Sequence, residues 1–152
     1  MKLLIAVLML CVAGPLHAGE VEDACTDLVL DYAYYRDRLD ADAFADIFAE
    51  DAVLSVLGQD FVGRDAIGAR LRNAGSGDLL RHLMSTIRIF PVNEKRATGV
   101  SYVTVYSGSA GDLPRPLSQP LAIGEYHDHF TRTSSGWKIQ RREFVPVFMN
   151  AP

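Results

Sequence analysis

The chain has 152 residues, 22% of them charged, and a formal net charge of −4. That length allows one domain with a sizeable core, and the mild acidity gives no basic surplus of the kind that binds nucleic acid or an anionic membrane surface. The two cysteines, Cys11 and Cys25, form no metal-ligand spacing.

Residues 1–18 read as a secretory leader. Lys2 gives a positive start, Leu3 to Val12 is unbroken apolar sequence, Gly14-Pro15 interrupts it, and Ala18 supplies a small residue before Gly19. The apolar stretch is shorter than the ~20 residues a membrane span needs, so a retained anchor is the weaker reading. Leu10 is too bulky for the position before a lipidated Cys11. The expectation is export, to a bacterial periplasm, of a chain starting near Gly19. Lys2 is the leader's only charge, so the mature balance is 14 basic against 19 acidic residues. Cys11 leaves with the leader and Cys25 then stands alone, without an internal disulfide. It is read as a buried small hydrophobe, with an intermolecular bridge as the lesser alternative.

The first helix is expected over 21–39. Val21, Cys25, Leu28, Tyr32, Tyr35 and Leu39 recur at steps of four and three and lay one stripe along it. Val29, Leu30, Ala33 and Tyr34 add apolar surface on a second side. A shorter helix follows, carrying Phe44, Ile47 and Phe48 and ending at Glu50-Asp51. Ala52 to Leu57 is a short strand closed by Gly58. Gly63-Arg64-Asp65 opens a third helix, with Asp65 as N-cap and Ile67 and Leu71 inward, which ends within Asn73 to Gly77. Strands are expected over 82–90, 97–107, 123–133 and 137–148, the last near an edge at Pro146. Asn93-Glu94-Lys95 and Ser134-Ser135-Gly136 are hairpin turns. Gly108 to Pro120 holds three prolines, a long loop suited to rim a pocket. Helices followed by consecutive strands give an α+β domain over 19–152, built on a curved, mainly antiparallel sheet.

Particular residues on that frame resemble a known family. The segments YAYYRDRLDADAFADIFAEDAVL from Tyr32, FVGRDAI from Phe61, RH from Arg81 and GEYHDHFTRTSSGWKIQRR from Gly124 are similar to the SnoaL-like branch of the nuclear transport factor 2-like superfamily. The resemblance implies a cone-shaped sheet closed by the N-terminal helices around an apolar cavity. The branch includes scytalone dehydratase, bile-acid 7α-dehydratase and hexachlorocyclohexane dehydrochlorinase, which share an aspartate late in the first helix and a histidine early in a strand. Asp37 and His82 match these positions, Tyr32 matches a tyrosine of the bile-acid enzyme, and Arg142 matches a pocket arginine of the dehydrochlorinase. Where two of these enzymes carry a second polar pocket group, this chain reads Val105-Tyr106-Ser107.

The resemblance thus implies catalysis by His82, Asp37 and Tyr32, with Arg142, Tyr106 and Tyr126 contacting the substrate. The implied activity is a cofactor-free lyase, of dehydratase type, or an isomerase. Its substrate would be a small apolar molecule, polycyclic ones included. No metal, nucleic acid or membrane is needed, and a homo-oligomer is compatible. The alternative is a secreted binding or interaction protein that keeps the cavity without turnover.

The residues themselves leave plainer readings open. A lone histidine is often a half-buried strand residue. Five residues at roughly 100° each put Asp37 about 140° from Tyr32, where a solvated aspartate would also sit. Tyr32 is equally a core tyrosine. Arg141 and Arg142 alternate, so one faces in, but parity does not say which. His127 and His129 share a strand face opposite Tyr126, Asp128 and Phe130. Two histidines without a third ligand are a weak metal signal.

Overall fold

In the computed structural model the described residues are 18–75, 78–109, 111–117 and 119–150. The expected leader lies outside them except for Ala18, which opens the first helix. The elements run α1 (Ala18–Arg38), α2 (Ala41–Asp46), β1 (Phe48–Val56), β2 (Gln59–Val62), α3 (Arg64–Arg72), β3 (Asp78–Asn93), β4 (Arg96–Ser109), β5 (Ala122–Thr133) and β6 (Gly136–Met149). None of the described helices is long and apolar enough to cross a membrane.

The strands form one six-stranded sheet in the order β2-β1-β6-β5-β4-β3. Every neighbour is antiparallel except β1 and β6, which run parallel. The sheet is therefore mixed, mostly antiparallel and open, with β2 and β3 as its edges. Register shifts between Ser85 and Arg88 on β3, and at Ile123/Gly124 and His129/Phe130 on β5, bend it. One face carries Ala97, Val103, Val105, Tyr126, Phe130 and Ile139, and α1 packs over it. Helix α1 buries its expected stripe through Val21, Cys25, Leu28 and Tyr32, and a second side through Val29 and Ala33.

Several boundaries differ from the sequence expectation. Phe48 belongs to β1, not to the second helix, and Glu50 and Asp51 are exposed strand residues rather than a helix end. The stabilising partner is distant in sequence: Phe48 pairs with Ile139 on β6. Asp65 does not cap α3. Gly63 occupies the N-cap with φ 87°, a conformation that favours glycine, and its N–H bonds the Ala52 carbonyl at 2.8 Å. Asp40 is the capping aspartate instead, its Oδ1 accepting from the Ala43 N–H at 3.2 Å in α2. Strand β2 was not expected. It returns through Leu57-Gly58, both at positive φ, a hairpin turn that leucine disguises. Strand β6 lies inside the sheet, yet its pairing with β1 ends at Phe144, so Pro146 falls where β6 has outrun that neighbour.

Gly124 on β5 lies opposite a bulge in β6, where the register steps from Phe148 to Pro146, and an added Cβ would meet the Val145 carbonyl oxygen at 2.5 Å and the Phe144 ring at 2.8 Å. Backbone on one side and a packed ring on the other leave little to give. Gly124→Ala is expected to destabilise the fold by about 1–3 kcal/mol, read as a lower urea midpoint with unchanged slope. An unchanged midpoint would mean that β5 and β6 part more readily than this register implies.

Candidate functional site

Helix α1 delivers its polar residues through two adjacent rows. Tyr32 is followed at i+4 by Arg36, and Ala33 by Asp37, so the buried side of the helix carries Asp37 inward despite its offset from Tyr32. The helix stops one residue after Asp37. Leu39 takes a left-handed conformation (φ 57°), the Leu39 N–H bonds the Arg36 carbonyl at 3.3 Å, and the Asp40 N–H bonds the Tyr35 carbonyl at 3.1 Å. This Schellman closure holds the last turn in place.

On the facing strand, β3 begins at Asp78 and brings His82 under that last turn. The His82 Nδ1 lies 2.5 Å from Asp37 Oδ1, and the His82 backbone N–H donates to Asp37 Oδ2 at 2.9 Å. Both side chains are more than nine-tenths buried, His82 at 8% and Asp37 at 7% exposure. With Nδ1–H donated to the carboxylate, Nε2 is the nitrogen left to meet a substrate. Both carboxylate oxygens of Asp37 are committed to one residue, which fixes the ring's tautomer and orientation together.

His82 opens onto a cavity of about 280 Å³. Tyr32, Tyr126, Leu80, Val105 and Phe144 line it, and Arg36 and Arg70 supply its charged groups. The Tyr32 ring stands edge-on to His82, centroids 6.3 Å apart, and 5.2 Å from the Tyr126 ring. Tyr126 is fully enclosed, and burial, followed by the neighbouring Tyr32, raises its phenol well above the usual range. It remains a neutral donor at any ordinary pH.

Arg142 is the inward member of its pair, and Arg141 faces Ser55 and Glu143. Arg142 does not line the cavity as a substrate contact. It lies wholly buried beneath the tyrosines, with its guanidinium carbon 4.2 Å from the Tyr32 ring centre and 4.5 Å from that of Tyr126. Asp128, its register partner on β5, takes both Nε and Nη2 at 2.7 Å. Burial by itself would lower the Arg142 guanidinium, and the charge and hydrogen bonds of Asp128 outweigh it and leave it raised.

Tyr106 is also placed elsewhere. Alternation on β4 turns Val105 to the cavity and Tyr106 to the opposite face, where with Arg81 and Leu113 to Leu117 it lines a separate hollow of about 370 Å³. The proline-bearing loop thus borders that hollow, while Leu121 and Ala122, which follow it, reach the main cavity. His127 and His129 are exposed on the outer face, His127 bonded to Glu125 at 2.8 Å. Among the described residues no group of three or more His, Cys, Asp or Glu is arranged to hold a metal ion. Sequence reasoning missed Arg36 and Arg70 as lining residues. For Arg36 the signal was present, since it continues the Tyr32 row by one turn.

Cys25 is buried and free. Burial, with a contribution from Asp128, pushes its thiol from the ordinary 9.0 up to about 12. In a chain starting at Gly19, iodoacetamide at pH 8 is expected to leave the folded protein unmodified and to alkylate it readily in urea. The unfolded thiol ionises near 9.0 and the folded one near 12, so its linkage to stability is intact below pH 9 and is lost as the pH rises beyond it. Rapid alkylation without denaturant would contradict this burial.

Compared with known proteins, residues 19–143 match the family described as SnoaL-like domain. No curated protein matches the chain. A scytalone dehydratase candidate from Novosphingobium aromaticivorans is 28% identical with a TM-score of 0.73, covering 86% of this chain and 87% of its own. A Mycobacterium tuberculosis protein of unknown function is 23% identical with a TM-score of 0.74, over 86% of this chain and 77% of its own. A hexachlorocyclohexane dehydrochlorinase is 19% identical with a TM-score of 0.69, over 88% of this chain and 94% of its own, a likeness of fold. With that family match spanning most of its length, and a fold shared with these structures, the chain belongs to the SnoaL-like domain family.

Proposed function

We propose that this protein is a cofactor-free lyase of dehydratase type, or an isomerase, acting on a small apolar molecule by general acid–base catalysis. The observation that carries this reading is the Asp37–His82 pair, clamped at 2.5 and 2.9 Å on the wall of a mostly apolar cavity. Neutral His82 removes a proton from carbon next to an activating group through Nε2. Asp37 holds the ring and stabilises the imidazolium that forms. In a dehydration the C–H electrons become the new double bond, the C–O bond breaks, and the departing oxygen takes a proton from the imidazolium to leave as water. In an isomerisation the same proton returns to another carbon. Tyr32 donates to the substrate carbonyl or to the departing oxygen, and the cation of Arg142 behind its ring favours charge building on that phenol.

The cavity volume of about 280 Å³ lies just below the usual ~300–1,000 Å³ of small-molecule sites, which favours compact substrates over steroid-sized ones. With residues 1–18 read as a leader, the proposed activity is that of an exported protein. The test is incubation with a panel of hydroxylated aromatic, polyketide-like and steroidal compounds, followed by mass spectrometry for the loss of water. Turnover of any member supports the lyase.

One observation favours a second reading, a binding protein without turnover: β4 presents Val105 to the cavity and no second acid or base. Binding without conversion across such a panel would favour that reading.

A further inference from the structure

The cavity's charged lining is of one sign. Arg36, in the last turn of α1, and Arg70, in the last turn of α3, both border it, and among the described residues no acidic side chain does. Other cations in or beside the core are matched: Arg142 to Asp128, Lys138 and Arg64 to Asp46, and Arg72 to Asp42. The Arg36 side chain has no hydrogen bond or ion pair among the described residues, and the Arg70 side chain has only the Phe61 ring, 5.0 Å from its guanidinium carbon. The nearest carboxylate in sequence, Asp37, is spent on His82 through both oxygens. Burial lowers the Arg36 guanidinium and Arg70 lowers it further; Tyr32, Tyr126 and Asp37 act in the opposite direction without cancelling the shift. Two half-buried guanidiniums thus face one apolar cavity with no ion-pair partner of their own among the described residues, and burial of an unpaired cation is costly unless a ligand completes it.

We propose that Arg36 and Arg70 form an anion-recognition site on the cavity rim, which takes the carboxylate of an otherwise apolar small molecule and directs its carbon skeleton toward His82. The planar forks of two arginines suit a carboxylate, which can accept from both. A singly charged group is favoured over a dianion because each arginine sits at a helix C-terminus, the negative end of its macrodipole. This inference names the substrate class for the proposed lyase site and rests on that reading for its catalytic meaning, while the binding it predicts does not depend on turnover.

The experiment is calorimetric titration of the purified protein with matched pairs of probes: benzoate, phenylacetate and 1-naphthaleneacetate, each beside its primary amide. At least one acid is expected to bind about 10–100-fold more tightly than its amide, the range set by charge-assisted hydrogen bonds. Arg36→Gln and Arg70→Gln should each remove most of that preference, by weakening the acid far more than the amide. Arg36→Lys should retain part of it, and circular dichroism would establish that each variant is folded. Equal binding of acid and amide, no binding of any acid, or a preference that survives both glutamine variants would overturn the proposal. Because nothing in the titration requires turnover, an inactive protein can still show the preference and an active lyase can still lack it.

Discussion

His82→Ala is expected to lower turnover of the substrate by about 10²–10⁴-fold, the usual contribution of a general base, while the domain stays folded. The ring contributes Nε2 to the cavity and Nδ1 to Asp37, and alanine removes both. Asp37→Asn should cost no more than that. Asparagine keeps the shape and an oxygen that can accept from the His82 backbone N–H, but it loses the charge that favours the imidazolium. Its amide can also turn a donor toward Nδ1, which moves the ring proton to Nε2 and disables the base. The double variant should be scarcely worse than His82→Ala, because the two residues act as one unit. Steady-state kinetics on the three variants, with circular dichroism alongside, decides the matter. Undiminished turnover in His82→Ala would remove the histidine from the mechanism, and unfolding of both single variants would make the pair structural.

Asp128→Ala is expected to destabilise the domain by about 3–5 kcal/mol, the cost of leaving a buried cation without its partner. Arg142 is wholly enclosed, its Nε and Nη2 bonds to Asp128 are both 2.7 Å, and its Nη1 has no hydrogen-bond partner among the described residues. The neighbouring tyrosine faces supply the remaining attraction and would be left against an uncompensated charge. Replacing the pair together, as Asp128→Leu with Arg142→Met, should recover most of that loss, since it removes two desolvated charges at once. Urea unfolding of the single and double variants measures both effects. A loss below about 1 kcal/mol for Asp128→Ala, near what exposed pairs contribute, would mean that water reaches the pair. The same variants connect the core to chemistry. Under the proposed function Arg142 would be a positioning residue behind Tyr32 and Tyr126, and its removal should affect turnover more than ligand affinity.

Local pattern and residue type were enough for the α+β class, the stripe of α1 from Val21 to Tyr32, the four long strands and the Asn93–Lys95 hairpin. Each depends on neighbours within a few positions, where helix and strand periods leave a mark. The pairing of Asp37 with His82 was legible only through family resemblance. On periodicity alone Asp37 looked as much like a surface residue as a buried one. What tertiary structure decided were contacts between residues far apart in the chain. Phe48 became strand because β6 pairs with it, and β2 hid behind a Leu57-Gly58 turn. Alternation implied one inward arginine and could not choose it. The register that sets Asp128 beside Arg142 made the choice. Tyr106 was placed outside by the same two-residue period that brought Val105 inside, since a strand's parity follows from which face the helices cover. Arg36 continues the Tyr32 row in the sequence, but its pairing with Arg70 emerged only in the fold, because the two lie on different helices and border one cavity.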